Sequence, residues 1–333
     1  MSRDQHHSSA PSNPTRRKLL STGAIGVAAA TAAALGTPAA AQDNSTGVTA
    51  QLSPEPTSEF TGQCAFITGG ARGIGYACAE ELAKAGANIV LYDIAGNIDT
   101  VNYPMATEQN LATAKSNIEA LGVKCIAIKG DVRDSTKLKE SVARTVREFG
   151  RLDILVVNAG VTQVGVLDEF PDEEVQTVID INLTGAVKTT QAALPIMRRQ
   201  NAGRIVMISS ILGRLGDENF SVYSSTKWGL IGFAKSTALA MAKHNVTCNA
   251  LCPGWVRTTL ADNDYMLNAI SPENPNFDAV EAAAEESYHP LLMGAYEPVD
   301  IARVVKMFCG QATAMITGEV FDIAQGQNAR FNA

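Results

Sequence analysis

Tyr223 and Lys227 stand four residues apart in "YSSTK", a spacing that stacks both side chains on one face of a helix. A free phenol titrates near pH 10 and is a poor base at neutral pH. A neighbouring cation favours the phenolate and brings proton transfer within reach. Tyr-x-x-x-Lys is common on amphipathic helix surfaces. Here Ser210 closes an apolar run thirteen residues before Tyr223, and the three residues together are specific.

A second constellation lies near the start of the chain. "TGGARGIG", from Thr68 to Gly75, follows an apolar run and opens a helical pattern, with Gly69, Gly73, Ile74 and Gly75 at its centre. Glycines let the backbone turn tightly against a pyrophosphate, whose charge a helix N-terminus favours. A glycine-rich turn alone is weak evidence; its place after the first strand of a repeating pattern makes it a dinucleotide turn. Asp93 ends the second apolar run, 18 residues past Gly75. A carboxylate there accepts hydrogen bonds from ribose hydroxyls and repels a 2′-phosphate. Arg72 competes, since it could pair with that phosphate, but Ile94 and Ala95 follow Asp93 where a basic residue would be needed. The balance reads as NAD. An oxidised nicotinamide would itself favour the Tyr223 phenolate.

These residues need a frame. Strands are predicted at Cys64–Thr68, Asn88–Tyr92, Lys124–Gly130, Ile154–Asn158, Arg204–Ser209, Val246–Cys252 and Glu319–Ile323, and helices at about 73–86, 107–121, 135–149, 172–200, 221–244 and 298–310. Strands apolar throughout and separated by helices define an α/β fold: one Rossmann-type, doubly wound parallel sheet with helices on both faces. Two connections, Ile94–Ala106 and Trp255–Tyr296, are too long for routine turns.

Over residues 60–326 the chain resembles the short-chain dehydrogenase/reductase family. "NAG" (Asn158, Ala159, Gly160) resembles the family's turn after the fourth strand, although Val157 stands where many members have a second Asn. "INLTG" supplies Asn182, "GDV" places Asp131 and Val132 near the adenine, and "CPGWVRT" brings Pro253, Gly254, Val256 and Thr258 to the nicotinamide. The resemblance implies Tyr223 as acid/base and Ser210 as holder of the substrate oxygen. It implies that Lys227 binds the ribose and lowers the tyrosine pKa, and that Asn182 positions a relay water. Thr68 and Arg72 join the cofactor set. The stretch after Asp93 resembles the insert of mycofactocin-coupled and carveol-dehydrogenase-like members, which is understood to cover NAD and make it non-dissociable. "ADNDYMLNAISPENPNFD" is similar to their substrate lid, giving an insert at 94–106 and a lid at 255–296 within a domain spanning 62–333.

Ahead of that domain, Arg16-Arg17-Lys18, the Ala/Gly-rich run Gly23–Gly36 and the small-x-small pair Ala39 and Ala41 read as a twin-arginine export signal over 1–41, with a flexible leader at 42–61. The apolar run is too short for a membrane span, and no Cys near the cleavage site offers a lipid anchor. Removing 1–41 leaves 23 Lys+Arg against 33 Asp+Glu, a net charge of −10, which disfavours nucleic acid and anionic membrane surfaces. The six cysteines match no metal spacing and read as buried thiols, with Cys252 beside Pro253-Gly254 the one to watch; of the four histidines only His244 and His289 survive cleavage, so His-based hydrolysis and His-rich metal sites are disfavoured. The leading expectation is a periplasmic or secreted NAD-dependent dehydrogenase of a secondary, apolar or cyclic alcohol, a homodimer or homotetramer that passes electrons to an external acceptor. A cytoplasmic, freely exchanging NAD(P)H ketone reductase and a non-catalytic NAD sensor remain the alternatives.

Overall fold

Apolar strands become a central layer only when both faces are covered, and the computed structural model, which describes residues 59–288, 291 and 293–330, has that arrangement. The export signal and the leader up to residue 58 lie outside the described residues. Seven strands form one sheet: β1 Cys64–Thr68, β2 Asn88–Asp93, β3 Cys125–Lys129, β4 Ile154–Val157, β5 Gly203–Ile208, β6 Val246–Pro253 and β7 Val320–Ile323. Their order is β3-β2-β1-β4-β5-β6-β7, and every neighbouring pair is parallel.

Alternation along each strand divides the core. Ala65, Ile67, Ile89 and Leu91 face the layer of α1 (Gly73–Lys84), α2 (Glu108–Glu119) and α9 (Pro298–Cys309). Cys64, Phe66, Val90 and Tyr92 face that of α3 (Ser135–Phe149), α5 (Gly185–Gln200) and α6 (Ser221–Met241). Phe60 is fully buried and its N–H donates to Ala85 O at 2.8 Å, so this residue packs with the domain. All six cysteines are free and buried, as expected.

Two regions differ from the periodicity. The single helix expected over 172–200 is α4 (Asp172–Ile179) and α5 joined by a π-helical turn, Asp180–Thr184, that carries Asn182. Apolar spacing continues through such a turn, so the pattern does not reveal it. The expected lid is not a loop: it contains α7 (Asp264–Ile270) and α8 (Phe277–Tyr288). Trp255 stacks on Phe277 with centroids 5.6 Å apart. The Arg257 guanidinium lies 4.1 Å over the Phe277 ring and pairs with Asp278 (3.2 Å) and Glu281 (2.8 Å), fastening α8 to its base.

Candidate active site and cofactor cleft

The strand order reverses between β1 and β4, the point where doubly wound sheets bind ligands beyond the carboxyl ends of their strands. Gly69 (φ 64°) and Gly73 (φ 56°) adopt left-handed conformations that side chains resist. A Cβ on Gly75 would fall 2.1 Å from Gly69 O and 2.6 Å from Asn158 Nδ2. Helix α1 starts after Arg72 with no side-chain cap and no acidic residue in its first turn, and Gly73 and Ile74 line the cleft. Its first N–H groups and positive dipole end are therefore suited to phosphate.

Thr68 braces this turn rather than facing the cleft. Its hydroxyl accepts from the backbone N–H groups of Asn158 (3.0 Å) and Ala159 (3.1 Å), while Asn158 Nδ2 donates to Thr68 O (3.0 Å) and Gly69 O (3.2 Å). Asn158, Ala159 and Gly160 still reach the cleft wall. Asp93 is buried, and its two carboxylate oxygens accept from Ala71 N and Ala95 N, each at 3.0 Å. Each oxygen keeps a further lone pair for a ribose hydroxyl, so these acceptors fit an adenosine ribose. Arg72, the competing signal for a 2′-phosphate, donates instead to Pro104 O at 2.8 Å. Burial lowers its pKa, opposed by nearby Tyr103 and Asp93.

On the adenine side, Asp131 and Val132 line the cleft with Ile94, Ile98 and Met105 of the insert. Asp131 is gripped by Arg133 (Nη2 to Oδ2, 2.6 Å), so it presents a neutralised carboxylate. Across the cleft Thr258 joins the wall with Thr259 and Leu260. Pro253 ends β6, and Gly254 and Val256 follow it. Gly254 N donates to Ile323 O at 2.8 Å, and buried Val256 bridges to Tyr296.

At the reacting end, the Ser210 hydroxyl stands beside the Tyr223 phenol, whose pKa it lowers, and accepts from Leu212 N at 3.1 Å. Lys227 is buried, its Nζ donates to Ile208 O at 2.9 Å, and it stands 5.4 Å from the Tyr223 ring centroid. A Cβ on Gly160 would be 3.7 Å from Lys227 Nζ and 3.3 Å from Asn182 Oδ1, so the reacting group abuts the cleft wall. Burial pushes Lys227 down to about 8 and Tyr223 up to about 12, the latter opposed by the Ser210 hydroxyl. Desolvation is the largest influence on both groups, and the Lys227 ammonium is turned to a backbone carbonyl. Cys252 lies close by, its thiol also pushed up to about 12 by burial, which makes it an inert thiol.

Asn182 adjoins the same wall through the π-helical turn. Its side chain is spent on the protein: Oδ1 accepts from Val161 N (2.8 Å), and Nδ2 donates to Val161 O (2.8 Å) and Thr226 Oγ1 (3.2 Å). Any hold on a relay water falls to the backbone of the π-helical turn, where one helical carbonyl leaves the usual ladder.

Sequence reasoning missed Thr162, Val164 and Tyr265, and read Tyr103 only as part of the insert's apolar content. Tyr103 is buried, lines the cleft, and accepts from Thr162 N at 3.0 Å. Tyr265 of α7 donates to Val164 O at 3.1 Å. The apolar content of the insert was the only sequence signal for any of these contacts.

Proton transfer by a phenol beside a dinucleotide cleft is dehydrogenase chemistry. The chain belongs to the short chain dehydrogenase family, whose model matches residues 63–266. The (−)-trans-carveol dehydrogenase of Rhodococcus erythropolis is 36% identical over 269 residues, 80% of this chain and 97% of the relative. An uncharacterized NAD-dependent oxidoreductase of Mycobacterium tuberculosis is 33% identical over 270 residues, covering 80% and 95%. Among solved structures, carveol dehydrogenase from Mycobacterium avium in complex with NAD superposes with a TM-score of 0.79 at 34% identity, covering 82% of this chain and all of that one. Levodione reductase superposes at 0.73 with 28% identity, over 82% and 100%.

Proposed function

We propose that this protein is an exported, NAD-dependent oxidoreductase that interconverts a secondary, apolar or cyclic alcohol and its ketone, with NAD held beneath the insert. The observation that carries the reading is that a Cβ on Gly160 of the cleft wall would meet Lys227 Nζ and Asn182 Oδ1, which sets the Ser210–Tyr223 pair beside a cleft whose other end holds Asp93. The carveol dehydrogenases among the relatives support the substrate class. When bound, the nicotinamide supplies the hydride acceptor for oxidation and the donor for reduction. Ser210 orients the substrate oxygen against Tyr223. In oxidation the Tyr223 phenolate takes the hydroxyl proton, and in reduction the phenol gives it back. Lys227 would hold positive charge beside the phenol and bind the ribose of the cofactor. Turnover of carveol with added or retained NAD, and its loss in site variants, tests the reading.

Asp93→Ser is expected to lower the preference for NAD over NADP by at least about tenfold, because the carboxylate's repulsion of a 2′-phosphate disappears. The preference should relax rather than invert, since Arg72 must first leave Pro104. Fluorescence titration with each dinucleotide measures this; an unchanged ratio removes Asp93 as the selector.

The insert has a separate test. Ile98, Val101 and Met105 pack on the core, and Thr100 bonds Thr177 at 2.7 Å. Replacing Ile98–Met105 by a short Gly/Ser turn removes that packing and several hydrogen bonds, and should speed NAD release by about a hundredfold or more. Protein purified without added NAD should carry it, and the shortened variant should not. Equal retention by the two proteins rejects the cover and leaves a freely exchanging reductase.

Export rests on Arg16-Arg17 and the run that follows. An enzyme that folds around NAD before transport carries its cofactor with it, and an external acceptor then reoxidises NADH in place. N-terminal sequencing near Gln42 together with mass spectrometry of the exported fraction tests both statements. Val187, Trp228 and Leu239, exposed on α5 and α6, support self-association into a dimer or tetramer, which light scattering measures.

A further inference from the structure

The segment Val161–Val164, between β4 and α4, is where three parts of the site are tied together. Asn182 brackets Val161 through both its N–H and its carbonyl. One residue on, Thr162 N donates to Tyr103 of the insert, 59 positions earlier in the chain. Gln163 extends the same attachment, its Nε2 donating to Thr100 O (3.5 Å) and to Glu174 (2.7 Å). Val164 belongs to the lid instead: its carbonyl accepts from Tyr265 and its N–H donates back at 3.4 Å, across 101 positions. Among the described residues no hydrogen bond or ion pair joins the insert to α7 directly.

The two tyrosines are thus neighbours that fasten different covers to different residues of one strip. Tyr103 is buried and lines the cofactor cleft beside Gly160 and Thr258. Tyr265 sits on α7, which also buries Met266 and contributes Leu267 to the lid's apolar cluster with Ala261, Phe277 and Val280. An enzyme that keeps its dinucleotide while alcohol and ketone come and go needs covers that open separately.

Resting on the NAD reading above, we propose that Tyr103 and Tyr265 are positioning residues for two independent closures: Tyr103 retains the dinucleotide by pinning the insert to Thr162, and Tyr265 gates the substrate by pinning α7 to Val164. Each phenol closes its own cover on the strip that Asn182 already holds rigid. The lid then opens once per turnover without releasing the insert.

Full-length Tyr103→Phe and Tyr265→Phe test this, because each removes one hydroxyl and keeps the ring. NAD release is followed by chase with excess unlabelled NAD, and lid opening by amide hydrogen exchange across α7. Tyr103→Phe should speed NAD release by about ten- to a hundredfold, since it leaves the buried Thr162 N–H unpaired, with α7 exchange unchanged. Tyr265→Phe should raise α7 exchange about tenfold and leave NAD release unchanged. Loosening of both covers by either substitution, or of neither by its own, overturns the proposal. Exchange is also read without cofactor: Tyr103→Phe should then raise exchange in residues 98–106 and at the freed Thr162 amide, and leave α7 unchanged. A wild-type chain that binds no NAD rejects the functional reading, and that exchange pattern still decides whether the fastenings are separate.

Discussion

Tyr223→Phe should lower kcat by about a thousandfold or more while NAD affinity changes by less than about twofold. The ring, its packing against Phe220 (centroids 6.4 Å apart) and the position of Lys227 all remain; only the transferable proton is lost. The wild-type enzyme should also show opposite pH trends in its two directions. Oxidation needs the phenolate, and burial holds Tyr223 up at about 12 before cofactor and substrate are bound, so oxidation should rise with pH through the alkaline range. Reduction needs the phenol and should fall over the same interval, once the lowered pKa in the ternary complex is passed. Steady-state rates in both directions, with dinucleotide affinity measured separately, decide the assignment. Turnover by the phenylalanine variant at more than about a tenth of the wild-type rate rejects Tyr223 as the proton carrier.

Gly75→Ala should abolish dinucleotide binding and destabilise the fold by several kcal/mol, on the order of 3–5. The added methyl would lie 2.1 Å from Gly69 O and 2.6 Å from Asn158 Nδ2. Neither neighbour is the free end of a flexible chain: one is turn backbone, and the other is clamped to Thr68 and Gly69 carbonyls. Helix α1 must therefore move off the sheet, carrying its N-terminus away from the phosphate position. Gly232→Ala is the control, because nothing lies within 4 Å of a Cβ there and the substitution favours α6. Thermal unfolding and NAD titration of the two variants should diverge sharply; equal melting temperatures contradict the close packing of α1.

Local patterns carried much of the architecture. Seven apolar runs, each bounded by turn residues or a helical period, were enough to predict the strands, and observed boundaries differ by a residue or two. The glycine turn, Asp93, Ser210, Tyr223 and Lys227 were legible because their chemistry depends on short spacings and on the ends of strands. The break between α4 and α5 was not, since a π-helical turn conserves apolar spacing while adding one residue to the ladder. Helices α7 and α8 were hidden by the Pro, Asn and acidic residues of their segment, whose helical form depends on packing around Phe277 and the Arg257 pairs.

By itself, then, the sequence determined the doubly wound sheet, the family resemblance and the placing of a proton-transfer pair beyond a dinucleotide turn, because each follows from periodicity or from residue types within a few positions. Which polar atoms were already spent was decided by tertiary structure. Thr68 braces Asn158, Arg72 serves Pro104 rather than a phosphate, Asn182 holds Val161, and Tyr103 and Tyr265 close on one strip from 59 and 101 positions away. A hydrogen-bonding side chain satisfies whichever partner the fold brings within about 3 Å, and partners that distant in sequence leave no periodic trace in it.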